Sequence, residues 1–385
     1  MGRTNRSYGE GSIYESPAGS GTWHADVPLA NGKRKRQRFS KRTSRENQRD
    51  AERARKEIVK ARDTGLDVAD DPTVEQFAKI WYEKTTKKLA PSTRYFYRNA
   101  CDYYILPFIG QRKLKSFTPE NAADFVASLE EFEEVHEDGH IRSFSSSTVF
   151  HGFNVARRIF NVAVQWRKIQ YNPFTLIDTP DSNPAIRLPF TQDEVRRILA
   201  AVENHRLAAL YHLDFTWGLR RGELIGLRWS DVNWDKATLS IEQQYQYIPG
   251  KGIFAKAPKT KRGIRTIPLT SDLLDRLHDH QTQQIQERTE GWKEHNLIFP
   301  SNVGTPLNGR NLVTHWHNLL ESVGMPKSPF HRIRHTAATQ MEERGLSRAI
   351  MQAILGQSDL KTSDRYTHAR EEALREAAKR MGDQE

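Results

Sequence analysis

The chain has 385 residues, of which 37% are hydrophobic, and it carries a formal net charge of +11. This length exceeds one ordinary domain and predicts two or three. The sequence has no run of about 18 apolar residues and its N-terminus has no apolar signal core, so neither a transmembrane helix nor a secretory signal is expected. The only cysteine, Cys101, cannot form an internal disulfide, which is typical of a reducing compartment. We therefore expect a cytoplasmic protein.

The positive charge is concentrated near the N-terminus. Residues 33–62 contain fourteen Lys or Arg and four Asp or Glu, a local balance of +10 (14 − 4), while the remaining chain is nearly neutral. A concentrated basic segment is typical of a protein that binds nucleic acid. On charge alone, a solvated basic helix is the alternative.

Residues 1–65 are predicted to form a small β-β-β-α domain. Strands are expected at 11–15, 22–29 and 34–40, with a two-residue turn at Asn31-Gly32, and a charged helix follows at 44–62. Because a β-sheet can enter the major groove, we interpret this domain as a DNA-binding domain. The side chains expected to contact DNA are Arg34, Arg36, Arg38, Lys41 and Arg42.

Residues 66–175 are predicted to form an all-helical domain. Apolar residues recur at helical spacing, and Thr118-Pro119 is a favourable helix start. The stretch EEFEEVHEDGHIRSFSSS is interpreted as a polar loop. Residues 171–189 are rich in proline and polar residues and are expected to link this domain to the next one.

Residues 176–385 are predicted to form an α+β domain that is mostly helical. Thr191 and Glu194 make a capping box that opens a helix. Strands are expected at 237–247, 252–257 and 264–269, and they would form one small antiparallel sheet. Helices are expected from there to the end of the chain.

Several basic residues in this last domain are suited to binding one anion. His331 and Arg334 are three residues apart and would share a helix face. Arg220, from an upstream segment, would complete an anion clamp, since guanidinium groups bind phosphate through paired hydrogen bonds. Three other arginines, Arg221, Arg228 and Arg332, are rival choices for the same role.

In chain order, Arg220, the turn PKTKRG, the segment HRIRH and Tyr366 resemble the tyrosine recombinases, specifically phage-type and integrative-element integrases. The resemblance covers nearly the whole chain. It implies an arm-type DNA-binding domain at the N-terminus, a core-binding domain at about 73–174 and a catalytic domain from about 184. It also implies site-specific cutting and rejoining of DNA through a 3′-phosphotyrosine, to integrate or excise a mobile element or phage genome.

The resemblance implies roles for particular residues. Arg220 and Arg334 match the two catalytic arginines, and Tyr366 matches the nucleophile. Lys259 matches the lysine that protonates the leaving oxygen, with Lys256 and Lys261 as alternatives.

Four further positions match the family pattern or depart from it. His331 corresponds to a proton acceptor or phosphate contact, and Glu223 and His335 to supporting residues. Gln357 stands where the family usually has His or Trp. A glutamine side chain donates hydrogen bonds but cannot carry charge or move a proton.

The resemblance also implies the partners. We expect core and arm attachment sites in double-stranded DNA, a homotetramer on DNA, and assistance from a DNA-bending host factor and an excisionase, in a bacterial cytoplasm and near the nucleoid. No nucleotide cofactor is expected, because one ester is exchanged for another and the motif GxxxxGK[ST] is absent. No metal is expected, because HRIRH lacks the glutamate of a zinc-protease helix. Two alternatives are a chromosome-dimer resolvase of the same superfamily and a DNA-binding regulator with impaired catalysis. The last helix would pack on a neighbouring protomer or on its own domain.

Overall fold

The computed structural model describes residues 10–29, 33–63, 71–135, 141–182, 188–256, 263–356 and 367–382, with side chains in the last range from residue 373 onward. The chain divides into two compact units, Met1–Ala185 and Ile186–Glu385. The first unit contains strands and then helices, and the second is mostly helical with small antiparallel sheets. The predicted fold class is confirmed. The three-domain division at residues 65 and 175 stays a prediction.

The N-terminal module is the predicted sheet and helix. Its elements are β1 (Ser12–Glu15), β2 (Trp23–Pro28), β3 (Arg34–Phe39) and α1 (Ser44–Asp63). The strands pair antiparallel in that order. Because successive strand residues point to opposite faces, Ala25 packs inward with Ala51 and Ala54 of the helix. The expected turn at Asn31-Gly32 lies outside the described residues.

A bundle of helices fills the rest of the first unit. Its helices are α2 (Val74–Thr85), α3 (Pro91–Ala100), α4 (Leu106–Ile109), α5 (Pro119–Glu130) and α6 (Ser146–Gln165). A π-helical turn, Cys101–Ile105, joins α3 to α4. Thr118 caps α5 as predicted, accepting the backbone N–H of Asn121 at 3.2 Å.

Two predictions in this region were wrong. The stretch interpreted as a polar loop contains a hairpin, β4 (Glu133–Val135) paired with β5 (Ile141–Ser143). Asp138-Gly139 between them is a hairpin signal that the sequence analysis passed over. The interdomain linker was placed too early, because Phe174 is 1% exposed.

Phe174 lies among the rings of the helical core. Its centroid is 5.0 Å from that of Phe160 and 5.7 Å from that of Phe117. The side chain of Asn172 fixes the backbone at Phe174 against α6. It accepts the N–H of Phe174 at 3.0 Å and donates to the carbonyl of Arg157 at 2.9 Å. The sequence around Phe174 is rich in proline and polar residues, so its composition did not predict that Phe174 is buried in the helical core.

The second unit begins with three helices, α7 (Gln192–Val202), α8 (Ala208–Trp217) and α9 (Arg221–Leu224). Its strands are β6 (Val232–Asn233), β7 (Thr238–Ile241), β8 (Gln244–Ile248), β9 (Gly252–Lys256) and β10 (Arg265–Pro268). Its later helices are α10 (Ser271–Gln286), α11 (Gly309–Ser322), α12 (Arg332–Glu343), α13 (Arg348–Leu355) and α14 (Thr367–Gly382). The capping box of Thr191 and Glu194 at the start of α7 is confirmed.

The expectation of one sheet in this unit was wrong. Among the described residues, β10, β7 and β6 form one sheet, and β8 and β9 form a second. The strand expected over 237–247 is interrupted because the chain there passes close to Gly226, whose carbonyl accepts a hydrogen bond from Gln243 at 2.8 Å. A side chain at Gly226 would lie 3.1 Å from the Cα of Gln244.

The C-terminal helix α14 packs on its own unit. Ala377 and Met381 are buried in the core of that unit. Arg344, at the end of α12, donates to the carbonyls of Met381 at 2.7 Å and Arg380 at 3.1 Å, and so satisfies the free carbonyls at the end of α14. None of the described helices combines the length and apolar character that crossing a bilayer requires.

Replacing Phe174 tests whether it anchors the helical core. Phe174→Ala is expected to cost about 3–5 kcal/mol of unfolding free energy, because it leaves a cavity between aromatic rings. Urea denaturation followed by tryptophan fluorescence measures this cost. Leu176→Ala, at a position 63% exposed, is the matched control and should be nearly neutral. Equal losses in the two variants would contradict the placement.

Candidate active site

Gly218 brings α8 and α12 together at the site. It ends α8 in the left-handed conformation, with φ of 60°, which glycine adopts without strain. A side chain there would lie 3.1 Å from the Cβ of Ala337 and 3.3 Å from the Cα of Arg334. The glycine therefore allows the segment that carries Arg220 to run directly against the helix that carries Arg334.

Glu223 is the acidic centre of the site. It is 1% exposed, and it accepts hydrogen bonds from the backbone N–H of Arg220 at 3.0 Å and from Nη1 of Arg220 at 2.8 Å. Arg265 binds both carboxylate oxygens, at 2.8 and 3.1 Å. Burial acts to raise the pKa of Glu223, but the hydrogen bonds from Arg265 and Arg220 outweigh it and lower the pKa below the usual 4.5.

Arg334 and Arg220 both reach the end of α13. Arg334 is buried and donates to the carbonyl of Gly218 at 2.7 Å and to that of Leu355 at 2.6 Å. Arg220 donates to the carbonyl of Gly356 at 3.1 Å. Burial, and then the positive charge of Arg220, lower the pKa of Arg334 to about 10. The two arginines therefore act on each other electrostatically and hold the same short piece of backbone.

The arginine cluster carries excess positive charge. Arg220, Arg265 and Arg334 contribute three positive charges and Glu223 one negative charge, a balance of +2 (3 − 1). Asp214 lies within the field of Arg334, but burial raises the pKa of its carboxyl well above the usual value and so favours the uncharged form. An excess of fixed positive charge in a partly buried site favours an anionic ligand.

His331 and His335 lie at the start of α12 on the exposed side. Their rings meet edge to face, with centroids 5.0 Å apart. Partial burial, and then the neighbouring side chains of His335, Arg334 and Arg220, lower the pKa of His331 below 6.5. His331 is therefore neutral at pH 7 and able to accept a proton.

The three rival arginines occupy other positions. Arg228 is bound to Asp231, with the closest contact at 2.6 Å. Arg332 stacks over the ring of Phe190 at 3.7 Å and donates to the carbonyl of Leu188 at 2.8 Å. Arg221 lines a cavity beside α11. Of the candidate arginines, the structure brings Arg220 and Arg334 together.

Three predicted catalytic residues, Lys259, Gln357 and Tyr366, lie outside the described residues, as does Lys261. Lys256, the alternative to Lys259, is the last residue of β9. Arg265, which begins β10, was not among the residues predicted from the sequence. The signal in the sequence was the strand periodicity of RTIP. Because alternate strand residues point to the same face, Arg265 lies on the same inward face as the buried Ile267. Among the described residues, no three His, Cys, Asp or Glu side chains lie close enough to hold a metal ion.

The predicted DNA-contacting arginines of the N-terminal module share one sheet face. Arg34, Arg36 and Arg38 alternate along β3, and this register places them on the face opposite the one that packs on α1. Asp26 holds two of them, accepting from Arg34 at 2.9 Å and from Arg36 at 3.2 Å. Lys41, just after the strand, is exposed, and Arg42 lies 3.8 Å from a carboxylate oxygen of a helix residue.

Comparison with known proteins covers both units. The phage integrase family matches residues 189–373, and the phage integrase N-terminal SAM-like domain matches residues 73–129. A XerC-like tyrosine recombinase from Caldanaerobacter subterraneus is 33% identical over 58% of this chain and 63% of its own length, so the chain spans less than two thirds of that relative. An integrase from Saccharopolyspora erythraea is 23% identical over 98% of this chain and 97% of its own length.

Solved structures share the fold. The Tn1549 transposon integrase in complex with a circular intermediate DNA gives a TM-score of 0.64 at 20% identity, covering 75% of this chain and 92% of that one. A lambda integrase tetramer bound to a Holliday junction gives 0.54 at 17% identity, covering 91% and 93%. The fold is that of these integrase structures, and the residues of the arginine cluster lie inside the segment that matches the phage integrase family. Residues 189–373 and 73–129 therefore carry a phage integrase domain and a phage integrase N-terminal SAM-like domain, and the similar proteins are named integrase or tyrosine recombinase.

Neutralising Glu223 tests the buried ion pair. Glu223→Gln is expected to cost about 3–5 kcal/mol of unfolding free energy at pH 7, because it leaves two arginines without their countercharge. Since the folded state lowers the pKa of Glu223, its contribution is present above pH 4.5 and is lost as the pH falls through the folded value. The difference between wild type and variant in urea denaturation should therefore shrink in acid.

The exposed pair of Glu376 and Arg380 provides the control for this experiment. Glu376→Gln should change the unfolding free energy by about 0–1 kcal/mol. A loss at Glu223 as small as the loss at Glu376 would contradict the central place given to this carboxylate.

Proposed function

We propose that Tyr366 attacks a DNA phosphodiester held by Arg220 and Arg334. The phenolic oxygen forms a bond to phosphorus, and the bond from phosphorus to the 5′-oxygen breaks. The products are a 3′-phosphotyrosine and a free 5′-hydroxyl. Attack by the 5′-hydroxyl of a second strand reverses the step and rejoins the DNA, so one ester replaces another and no nucleotide cofactor is needed.

The observation that carries this proposal is the position of the two arginines at the end of α13. Their guanidiniums bind the carbonyls of Leu355 and Gly356, the residues that lead directly into Gln357 and then Tyr366. The segment with the nucleophile therefore starts at the arginine cluster. The excess positive charge there suits a phosphodiester, which gains negative charge on its non-bridging oxygens in the transition state. One such donor is worth about 100- to 1,000-fold in rate.

The remaining residues supply proton transfer and support. Lys259 protonates the leaving 5′-oxygen, and neutral His331 accepts the phenolic proton or binds the phosphate. Glu223 fixes the orientation of Arg220, since it holds both its backbone N–H and its guanidinium. His335 supports His331 through their edge-to-face contact. Gln357 donates a hydrogen bond to a phosphate oxygen.

The N-terminal module binds a second DNA segment. Asp26 restrains the guanidiniums of Arg34 and Arg36, so less side-chain freedom is lost when they meet a phosphate or a base edge. The arginine face of the sheet binds arm sites, with Lys41 and Arg42 at its edge, while the remaining domains bind the core site.

Four protomers assemble on two DNA partners, in line with the lambda integrase tetramer bound to a Holliday junction. A DNA-bending host factor and an excisionase set the direction of recombination between integration and excision of a phage or mobile element. The reaction takes place in the bacterial cytoplasm, on nucleoid DNA.

The test of the nucleophile is covalent trapping. Wild-type protein mixed with a nicked core site from the DNA flanking its gene should give a protein–DNA adduct that survives denaturing electrophoresis. Tyr366→Phe should give none, because the attacking oxygen is absent. Tyr171→Phe, which changes an exposed tyrosine, should behave as wild type. An adduct formed by Tyr366→Phe protein would refute the assignment.

Gln357 has its own test. If the residue serves only as a hydrogen-bond donor, Gln357→His should retain strand cleavage, because histidine also donates. The rate of adduct formation on the same nicked DNA measures this. Loss of cleavage in Gln357→His, with unchanged DNA binding, would show that this site requires glutamine.

A further inference from the structure

A cavity of about 650 Å³ opens beside the arginine cluster. Its walls come from the loop at Leu219 and Arg221, from His317 on α11, and from the segment between Lys327 and His331. Since His331 is also the proposed phosphate contact, the cavity continues directly from the site of cleavage.

The cavity has basic groups and no acid. Arg221, His317, Lys327 and His331 line it, and no Asp or Glu is among the lining residues. Within the described ranges, no hydrogen bond or ion pair engages the guanidinium of Arg221. The surrounding protein lowers the pKa of Arg221 by excluding water, and no carboxylate offsets this effect. The guanidinium therefore lacks a countercharge in the described structure.

The position of Arg221 next to a helix N-terminus adds to the positive charge of its guanidinium. Its Nε lies 3.2 Å from the point where a side chain at Gly309 would begin, so it rests against the first residue of α11. The N-terminus of a helix is itself a partial positive charge. Ser328 also lines the cavity, and its buried hydroxyl has no hydrogen-bond partner among the described residues. Both features are suited to an anionic ligand with free oxygen atoms.

We propose that this cavity binds a backbone phosphate of the core-site DNA adjacent to the scissile phosphate, with Arg221 and Lys327 as its ligands. The inference rests on the proposed function, because it takes the scissile phosphate to lie at Arg220 and Arg334. Arg220 and Arg221 are consecutive, yet one reaches Glu223 and the other reaches α11. Since each strand carries one phosphate per about 3.4 Å of helix axis, two diverging guanidiniums can hold neighbouring phosphates.

Salt dependence of DNA binding provides the first test. The slope of log K against log salt concentration changes by about 0.9 for each phosphate contact. Arg221→Ala and Lys327→Ala should each reduce the slope by about one and weaken binding to a core half-site roughly five-fold at 0.15 M salt, whatever the base sequence. Arg221→Lys should keep the slope of the wild type. Lys236→Ala, an exposed residue outside the cavity lining, is the matched control and should leave the slope unchanged.

Neutral phosphate analogues provide the second test. A methylphosphonate is placed, one position at a time, at the phosphates on either side of the scissile one. At one of these positions the wild type should lose affinity, and Arg221→Ala should lose less than the wild type does, because only Lys327 then holds that phosphate. Additive losses at every position would overturn the proposal. So would thermal stabilisation by inorganic phosphate that needs Arg221 without any effect of the analogues, because the cavity would then hold a free anion.

Covalent trapping on unmodified DNA separates this inference from the proposed function. If the wild type forms no tyrosine adduct, the proposed function fails. If the adduct forms but Arg221→Ala keeps the wild-type salt slope, only the phosphate site fails.

Discussion

The buried ion pair between Glu223 and Arg265 is the contact on which the catalytic unit depends. It joins α9 to β10, and Arg265 also donates to the carbonyl of Ile354 in α13. Charges without water are stable only when they are paired with good geometry. Because Glu223 also holds Arg220, the pair that stabilises the fold fixes the group that would bind the scissile phosphate. The carboxylate of Glu223 therefore contributes both to the stability of the fold and to the geometry of the site.

The sequence predicted the two arginines of the site, but it did not predict the buried charged residues that surround them. Arg220 and Arg334 were identified from chain order and family resemblance, and the structure brings them together at the end of α13. Arg265 was missed because spacing in one segment cannot show which distant carboxylate a buried charge will meet. Asp214 was not identified either, although α8 is apolar on nearly all sides and its sequence therefore predicts a buried helix.

The fold followed the sequence wherever local chemistry determines local structure. The helix start at Thr118-Pro119, the capping box at Thr191 and the hairpin signal between β2 and β3 predicted their elements closely. One failure, the hairpin of β4 and β5, had a local signal in Asp138-Gly139, whereas the other two depended on tertiary contacts. Phe174 belongs to the helical core although its neighbours in sequence resemble a linker, and the strand expected over 237–247 is interrupted by close passage against Gly226.

The docking of α14 limits how far the proposed nucleophile can travel. Arg344 fixes the end of α14 to α12, and the arginine cluster holds the end of α13. Only residues 356–366 lie between these two anchored helices. A short tether fixed at both ends gives its side chains a local concentration in the millimolar range or above. If Tyr366 is the nucleophile, as proposed, its effective concentration at the arginine cluster of its own subunit does not depend on the protein concentration.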